Sequence, residues 1–306
     1  MVRGRAPARS GLTVPGASPT TIVNGLSVDV EDWFQVGAFE DVIARDTWDG
    51  LPLRVADNVS RILDLFAEAE VKATFFTLGW VAQRNGALIR RIADAGHEIA
   101  SHGWDHARVF TLDRKTFGQD IARARTVLED AAGVRVSGYR APSFSIDQRT
   151  PWAYQELAEQ GYAYSSSVAP VAHDHYGWRE APRFAFRPLP WHPLVEIPVT
   201  TAMLGGRRVA AGGGGFFRVL PYGFSRWAIR QVNRQEGRPA VFYFHPWEVD
   251  PQQPRVPNAS MRSKFRHYTN LDKMAGKLTE LVHEFAWGRM DVLAHREAEL
   301  ASSLAA

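Results

Sequence analysis

Cysteine is absent from this 306-residue chain. That excludes a disulfide framework and any thiolate metal site, so a bound metal would need His, Asp or Glu. Long apolar runs are also absent; nothing approaches the ~20 residues that span a bilayer, and stable membrane insertion is not expected. Basic or acidic blocks are missing too. The net charge is only +3, which argues against nucleic acid as a partner. Residues 1–20 contain Arg3, Arg5 and Arg9 among Gly, Pro and Ser, and no acid. They lack the continuous apolar core of a secretion signal and read as a disordered leader on a cytoplasmic protein. Oligomeric state is not legible.

What is present is an ordinary globular composition, 45% hydrophobic and 23% charged, enough for one large domain. No internal linker argues for two, so a single domain is expected over residues 21–292, with a frayed Ala- and Ser-rich tail over 293–306. Ten Trp is high, and such a surplus suits a sugar site or a Trp-rich core equally.

Strand and helix patterns alternate about seven times. Strands are expected at Ile22–Val30, Ala73–Leu78, His97–His102, Val134–Tyr139, Tyr162–Val168, Leu194–Thr200 and Ala240–Phe244. Helical spacing links Val55, Val59, Ile62, Leu63 and Phe66, then Phe117, Ile121, Ala124 and Leu128. Leu271, Met274, Leu278, Leu281, Val282 and Phe285 mark an amphipathic C-terminal helix. Alternation of this kind predicts a parallel α/β fold. Polar residues gather at strand ends, as in barrel enzymes.

The first strand runs into three acids, Asp29, Glu31 and Asp32. Residues two apart share a strand face, so Asp29 and Glu31 project together. Paired carboxylates need a cation or donors to offset their repulsion. After the third strand come His102 and His106, four apart and separated by Gly103, which permits a turn toward one ion. Asp105 between them is a candidate acceptor for an imidazole. Arg140 follows the fourth strand and is suited to pinning a carboxylate. His245 ends the last strand and suits a general acid near neutral pH. Each feature alone has a bland explanation: a cap, a surface turn or a core histidine.

In order and spacing, these features resemble the polysaccharide deacetylases, the carbohydrate esterases with NodB homology. The resemblance covers roughly residues 22–250. The stretch Ser27–Trp33, with Lys264–Leu271, resembles the branch found with bacterial exopolysaccharide gene clusters and the exosortase system, and extends the match through the C-terminal helix. The resemblance implies a deformed (β/α) barrel of about seven parallel strands. It implies a divalent ion, zinc above all, and removal of acetyl groups from N-acetylhexosamine units of a glycan. Asp29 matches the family's base, His102 and His106 its metal histidines, Arg140 the arginine that orients the base, and His245 the general acid. A backbone N–H near Tyr139–Ser143 is the expected oxyanion donor.

This chain departs from the family pattern in two places. Many members have adjacent Asp residues where Asp29 is followed by Val30. Same-face geometry favours Glu31 as the carboxylate ligand, with Asp32 the other candidate. Ser165 stands where relatives carry an Asp that tunes the catalytic His, which shifts that task to another acid such as Glu248. Trp33, Trp104, Tyr139, Pro142, Phe216 and Trp247 are expected to contact substrate, and Ala211–Phe217 to form a flexible loop beside it. Two other readings are a hydrolase of smaller amides (deformylase- or allantoinase-like) and a sugar-binding barrel that has lost catalysis.

Overall fold

The strand β1, Asn24–Val30, is buried along all seven of its residues. Its neighbours in the parallel sheet are short: β2 (Thr74–Thr77), β3 (Glu98–Ser101), β4 (Gly138–Tyr139), β5 (Tyr164–Ser165) and β6 (Val195–Glu196). A separate antiparallel hairpin follows, β7 (Thr201–Leu204) and β8 (Arg207–Ala210). The sheet then resumes with β9 (Val241–Phe244) and β10 (Trp287–Gly288). The computed structural model describes residues 21–172 and 177–303; the leader expected over residues 1–20 lies outside them.

The spatial order is β9-β1-β2-β3-β4-β5-β6, all parallel, and β10 pairs alongside the start of β1. The sheet curls into a deformed barrel. Between β6 and β9 the ladder is replaced by single bonds: Thr200 N donates to Val241 O at 3.3 Å, and Tyr243 N to Gly212 O at 2.8 Å. Helices α1 (Val55–Glu68), α2 (Gly79–Arg84), α3 (Gly86–Asp94), α4 (Arg114–Ala132) and α5 (Ala153–Glu159) alternate with the first strands. Helices α6 (Gly214–Val219) and α7 (Tyr222–Arg230) precede β9. Helices α8 (Met261–Tyr268), α9 (Leu271–Glu284) and α10 (Met290–Ser303) complete the chain.

Alternation along β1 sorts its two faces. Leu26, Val28 and Val30 join Val55, Val59, Ile62 and Phe66 of α1 in one core cluster. Ser27 and Asp29 point the other way, into the barrel, where they meet Arg140. Helix ends follow local chemistry. Asp113 accepts from Thr116 N at 2.8 Å at the start of α4, and Gly133 ends it in the left-handed region at φ 68°.

The strand registers form one row across the sheet. Val30 faces Thr77, Thr77 faces Ser101, Ser101 faces Tyr139, Tyr139 faces Ser165, and Ser165 faces Glu196. Glu31, His102 and Arg140 are each the next residue after this row. On the other side of β1, Val28 faces Phe244, so His245 comes level with Asp29. The shared register therefore delivers five dispersed polar residues to one rim.

The structure differs from the expected elements in four places. Strands four, five and six shrink to two residues each, because their flanks turn into the rim rather than continuing the ladder. The β7–β8 hairpin and β10 were not anticipated from hydrophobic spacing. The Gly-rich stretch is ordered: Gly213 bridges to Tyr243, and α6 begins at Gly214. The tail expected to fray after Leu293 is helical to Ser303. Met290, Leu293 and Ala294 are buried in a second cluster with Phe76, Tyr164 and Val241, which fills the barrel interior.

A plug of this kind should contribute to stability. Leu293→Ala is expected to lower the unfolding free energy by about 2–5 kcal/mol, the range for a buried Leu. Urea denaturation checks it; an unchanged midpoint would mean that α10 does not pack as described.

Candidate metal centre and active site

Arg140 organises the rim from within. Its side chain is fully buried. Nη1 donates to Asp29 Oδ1 at 2.6 Å and to Ser27 Oγ at 2.8 Å. Nε and Nη2 donate to the carbonyl and hydroxyl of Ser166, at 3.0 and 2.9 Å. The guanidinium also lies over the Phe76 ring at 4.1 Å. Asp29 is thereby held with one oxygen anchored.

The same residue orients a histidine through its backbone. His102 Nδ1 donates to the Arg140 carbonyl at 2.8 Å, which fixes the tautomer and leaves the Nε2 lone pair free. Burial pushes the His102 pKa down, against the opposing pull of Asp29 and Glu31, to about 4. A neutral imidazole is the form that binds metal. Gly103 at φ 75° and His106 at φ 62° turn the chain back, and His106 Nε2 comes within 3.0 Å of Glu31 Oε2. Asp105 does not reach an imidazole; it pairs with Arg45 at 3.5 Å, and the Arg140 carbonyl takes the role expected of it.

Ligand-type atoms of Glu31, His102 and His106 all lie within 4.8 Å of one another. Glu31 Oε2 is buried, and His106 Nε2 lies 3.0 Å from it. Burial favours the neutral acid, but His106, His245 and His102 outweigh it and bring the Glu31 pKa to about 2. A buried carboxylate grouped with two imidazoles fits a divalent cation, and the N2O donor set suits zinc among others.

Asp32 is not part of this cluster, which corrects the alternative ligand assignment. Oδ1 accepts from Trp33 N at 2.9 Å, and Oδ2 accepts from Arg54 N and Val55 N at 2.8 and 2.9 Å. Its carboxylate ties the chain after β1 to the first turn of α1.

His245 approaches from the opposite wall, with Nε2 3.7 Å from Glu31 Oε1. Its Nδ1 lies 3.1 Å from Glu248 Oε2, and its backbone N–H donates to the same oxygen at 2.9 Å. Arg218 Nε donates to the other oxygen, Glu248 Oε1, at 2.7 Å. Burial opposes the charged forms here, but attraction prevails, from Glu31 and then Glu248 on His245, and from Arg218 and then His245 on Glu248. Glu248 is held down at about 2 and His245 pushed up to about 9. Ser165 bonds Ser167 Oγ at 2.7 Å instead. The acid partner of His245 is Glu248, the substitute that the missing Asp called for.

Several residues expected at the substrate are packed elsewhere. Trp33 is buried, and its Nε1 donates to Pro52 O at 3.0 Å. Tyr139 is buried between Phe117 and Tyr162. Trp104 stacks over the Arg123 guanidinium at 3.4 Å. Pro142 is buried, and its ring lies beside Gly103. Trp247 is buried too, but it serves the centre, since Nε1 donates to Glu31 Oε1 at 3.1 Å. Phe216 is 40% exposed, whereas Phe217 packs on Phe242. Within Tyr139–Ser143, the Arg140 and Ala141 N–H groups already donate to Ser101 O and Ser167 Oγ, which removes them as oxyanion donors.

Sequence reasoning missed Arg218 and His267. The His267 ring stacks on Trp247 at 4.1 Å, and its Nε2 donates to Gln253 Oε1 at 2.6 Å. Burial brings its pKa to about 3, so it stays neutral. Arg218 also donates to the carbonyls of Arg266, His267 and Thr269. Gly214 lies so close that a Cβ there would sit 2.1 Å from Glu248 Oε2. The Lys264–Leu271 stretch and the glycine run thus meet behind the acid.

Comparison with known proteins agrees with this architecture. Residues 42–164 match the family model described as "Polysaccharide deacetylase", and residues 166–295 match "Domain of unknown function (DUF3473)". The peptidoglycan deacetylase of Helicobacter pylori is 26% identical over 111 residues, 36% of this chain and 37% of that protein. The peptidoglycan-N-acetylglucosamine deacetylase of Bacillus cereus is 30% identical over 97 residues, 31% of this chain and 35% of that protein. The chain thus matches little more than a third of the length of either relative. A Mycobacterium smegmatis crystal structure assigned to the polysaccharide deacetylases covers 93% of this chain and 94% of its own, at TM-score 0.58 and 21% identity. An allantoinase covers 89% of this chain and 88% of its own, at TM-score 0.57 and 15% identity; both share the fold. The class is a deformed parallel α/β barrel with its polar site at the strand ends. Within it, residues 42–164 of this chain are similar to the polysaccharide deacetylases.

The two acids beside Val30 should separate experimentally. Glu31→Gln is expected to weaken zinc binding by at least about 100-fold, the upper end of what outer partners of metal ligands contribute. Asp32→Ala should retain zinc and lose about 1–3 kcal/mol of stability through unpaired backbone donors. Calorimetry of zinc binding and thermal unfolding distinguish them; the reverse pattern would make Asp32 the ligand.

Proposed function

We propose that this protein is a metal-dependent N-deacetylase acting on N-acetylhexosamine units of a bacterial exopolysaccharide or its precursor. The observation that carries this reading is the Glu31–His102–His106 cluster with His245 beside it and Asp29, held by Arg140, level with His245 on the neighbouring strand. A divalent ion held by these three ligands supplies Lewis acidity toward the amide carbonyl and acidifies water.

The remaining roles belong to the chain itself. Asp29, anchored at one oxygen by Arg140, accepts the proton of the attacking water with the other. His245, charged and held by Glu248, donates a proton to the departing sugar amine. Arg218 keeps Glu248 ionised and in place. Trp247 holds Glu31 oriented by its indole N–H. Peptidoglycan deacetylases among the relatives favour an N-acetylated glycan as substrate. The Lys264–Leu271 stretch resembles the exopolysaccharide branch, and it supplies the His267 that backs Trp247. The lost-catalysis reading rested on Ser165, and the Glu248–His245 pair takes away its motive. The smaller-amide reading retains only the shared fold of the allantoinase.

Acetate release from N-acetylglucosamine oligomers tests the proposal. Chelator-stripped protein should be inactive and regain turnover with zinc. Asp29→Asn should lower kcat by roughly 10²–10⁴-fold, the usual span for a general base; wild-type turnover would remove Asp29 from the mechanism. Glu248→Gln should lower kcat by roughly 10–100-fold, less than loss of the general acid itself, and Glu248→Asp should recover part of it. Equal loss in both would indicate a packing role instead.

A further inference from the structure

Helix α8 turns an apolar stripe to solvent. Met261 is 81% exposed, and Phe265, one turn on, is 61% exposed. Residues four apart share a helix face. At about 100° per residue, both side chains point away from His267, the one buried residue of the helix. Cations flank the stripe, Arg262 and then Arg266 on one side and Lys264 on the other. Lys264 Nζ donates to Pro257 O at 2.6 Å, and Arg255 lies over the Tyr268 ring at 4.2 Å. Residues 251–271 contain no acid.

The stripe is held rigidly. Ser260 caps the helix by accepting from Ser263 N at 3.0 Å. Arg218 donates to carbonyls at the other end. Phe39 packs against His267 and Tyr268 at 4.5 and 5.9 Å. A stable protein partner takes roughly 20–30 residues a side, whereas two side chains on one short helix form a wedge. An apolar wedge between cations complements an anionic bilayer surface, where Met and Phe enter the acyl boundary and Arg and Lys stay among the headgroups.

We propose that α8 docks this protein on an anionic lipid surface. Met261 and Phe265 sit at the boundary between headgroups and acyl chains, and Arg255, Arg262 and Lys264 meet lipid phosphates. One short helix gives reversible binding, lying on the bilayer without crossing it. His267 stacks on Trp247 behind the stripe, so docking keeps the proposed metal centre next to the membrane. The substrate form presented there is a glycan still joined to a lipid carrier. That last step rests on the deacetylase reading; the docking does not.

The test sediments the zinc-loaded full chain with vesicles of phosphatidylcholine alone, or of phosphatidylcholine and phosphatidylglycerol in equal parts. Wild type should bind the mixed vesicles and not the pure ones, and added salt should weaken the binding. Met261→Ser/Phe265→Ser should weaken it at least about tenfold, the value of one large apolar side chain, with unfolding temperature and zinc affinity unchanged. Arg3, Arg5 and Arg9 also favour anionic lipid, so the deciding comparison is between these two proteins, which differ only on α8. Equal binding by both, or none by wild type, would overturn the proposal. A wild-type dimer that the double variant makes monomeric, with no binding to vesicles, would assign the face to a second copy instead. Vesicle binding by a protein that releases no acetate from N-acetylated glycans would keep the docking and remove the substrate.

Discussion

The buried Arg140 guanidinium is the constraint on which the rest of the site depends. Four of its hydrogen bonds tie β1 to the segment after β5 through Ser27, Asp29 and Ser166. Its carbonyl sets the tautomer of His102. One residue therefore positions the proposed base and a proposed metal ligand together. A charge this deep is tolerable only with every partner present, since removing one partner of a buried pair typically costs about 3–5 kcal/mol. Precision at the rim follows from that intolerance.

The opposite wall is built from the C-terminal half. Glu248 receives Arg218 on one oxygen and His245 on the other. Arg218 is in turn locked by carbonyls at the C-terminal end of α8. Trp247 lies between the His245 and His267 rings, at 5.1 and 4.1 Å, while its N–H holds Glu31. The segment matching the domain of unknown function thus adds His245 and Glu248 to a centre whose His102, His106 and Arg140 lie in the segment matching the deacetylase model. Neither half contains all the residues proposed for the reaction. Among the described residues, no helix is long and apolar enough to cross a membrane.

Legibility in the sequence tracked the range of the interaction. The alternation Leu26–Val28–Val30 against Ser27–Asp29 specified both the faces of β1 and the direction of Asp29. Helical spacing in α1 and α9 was clear because each has a single buried stripe. The two-residue strands β4, β5 and β6 were overextended, because apolar residues beyond them pack without continuing the ladder. The α10 tail was misread, since Ala and Ser carry little spacing signal and only the barrel interior gives Leu293 a place to bury.

The sequence by itself determined the fold class and the strand-end location of the polar residues Asp29, His102, His106, Arg140 and His245. These follow from local periodicity and from motif order. Only the tertiary structure set Glu31 beside His102 and His106 and turned Asp32 to the α1 N-terminus, because backbone donors there take up the Asp32 carboxylate. It alone assigned Glu248 as the partner of His245, and it withdrew Trp33 and Tyr139 from the substrate side. Arg218 lies 30 residues from Glu248 in the chain, and no local pattern links them. Their pairing exists only once the barrel has closed around both.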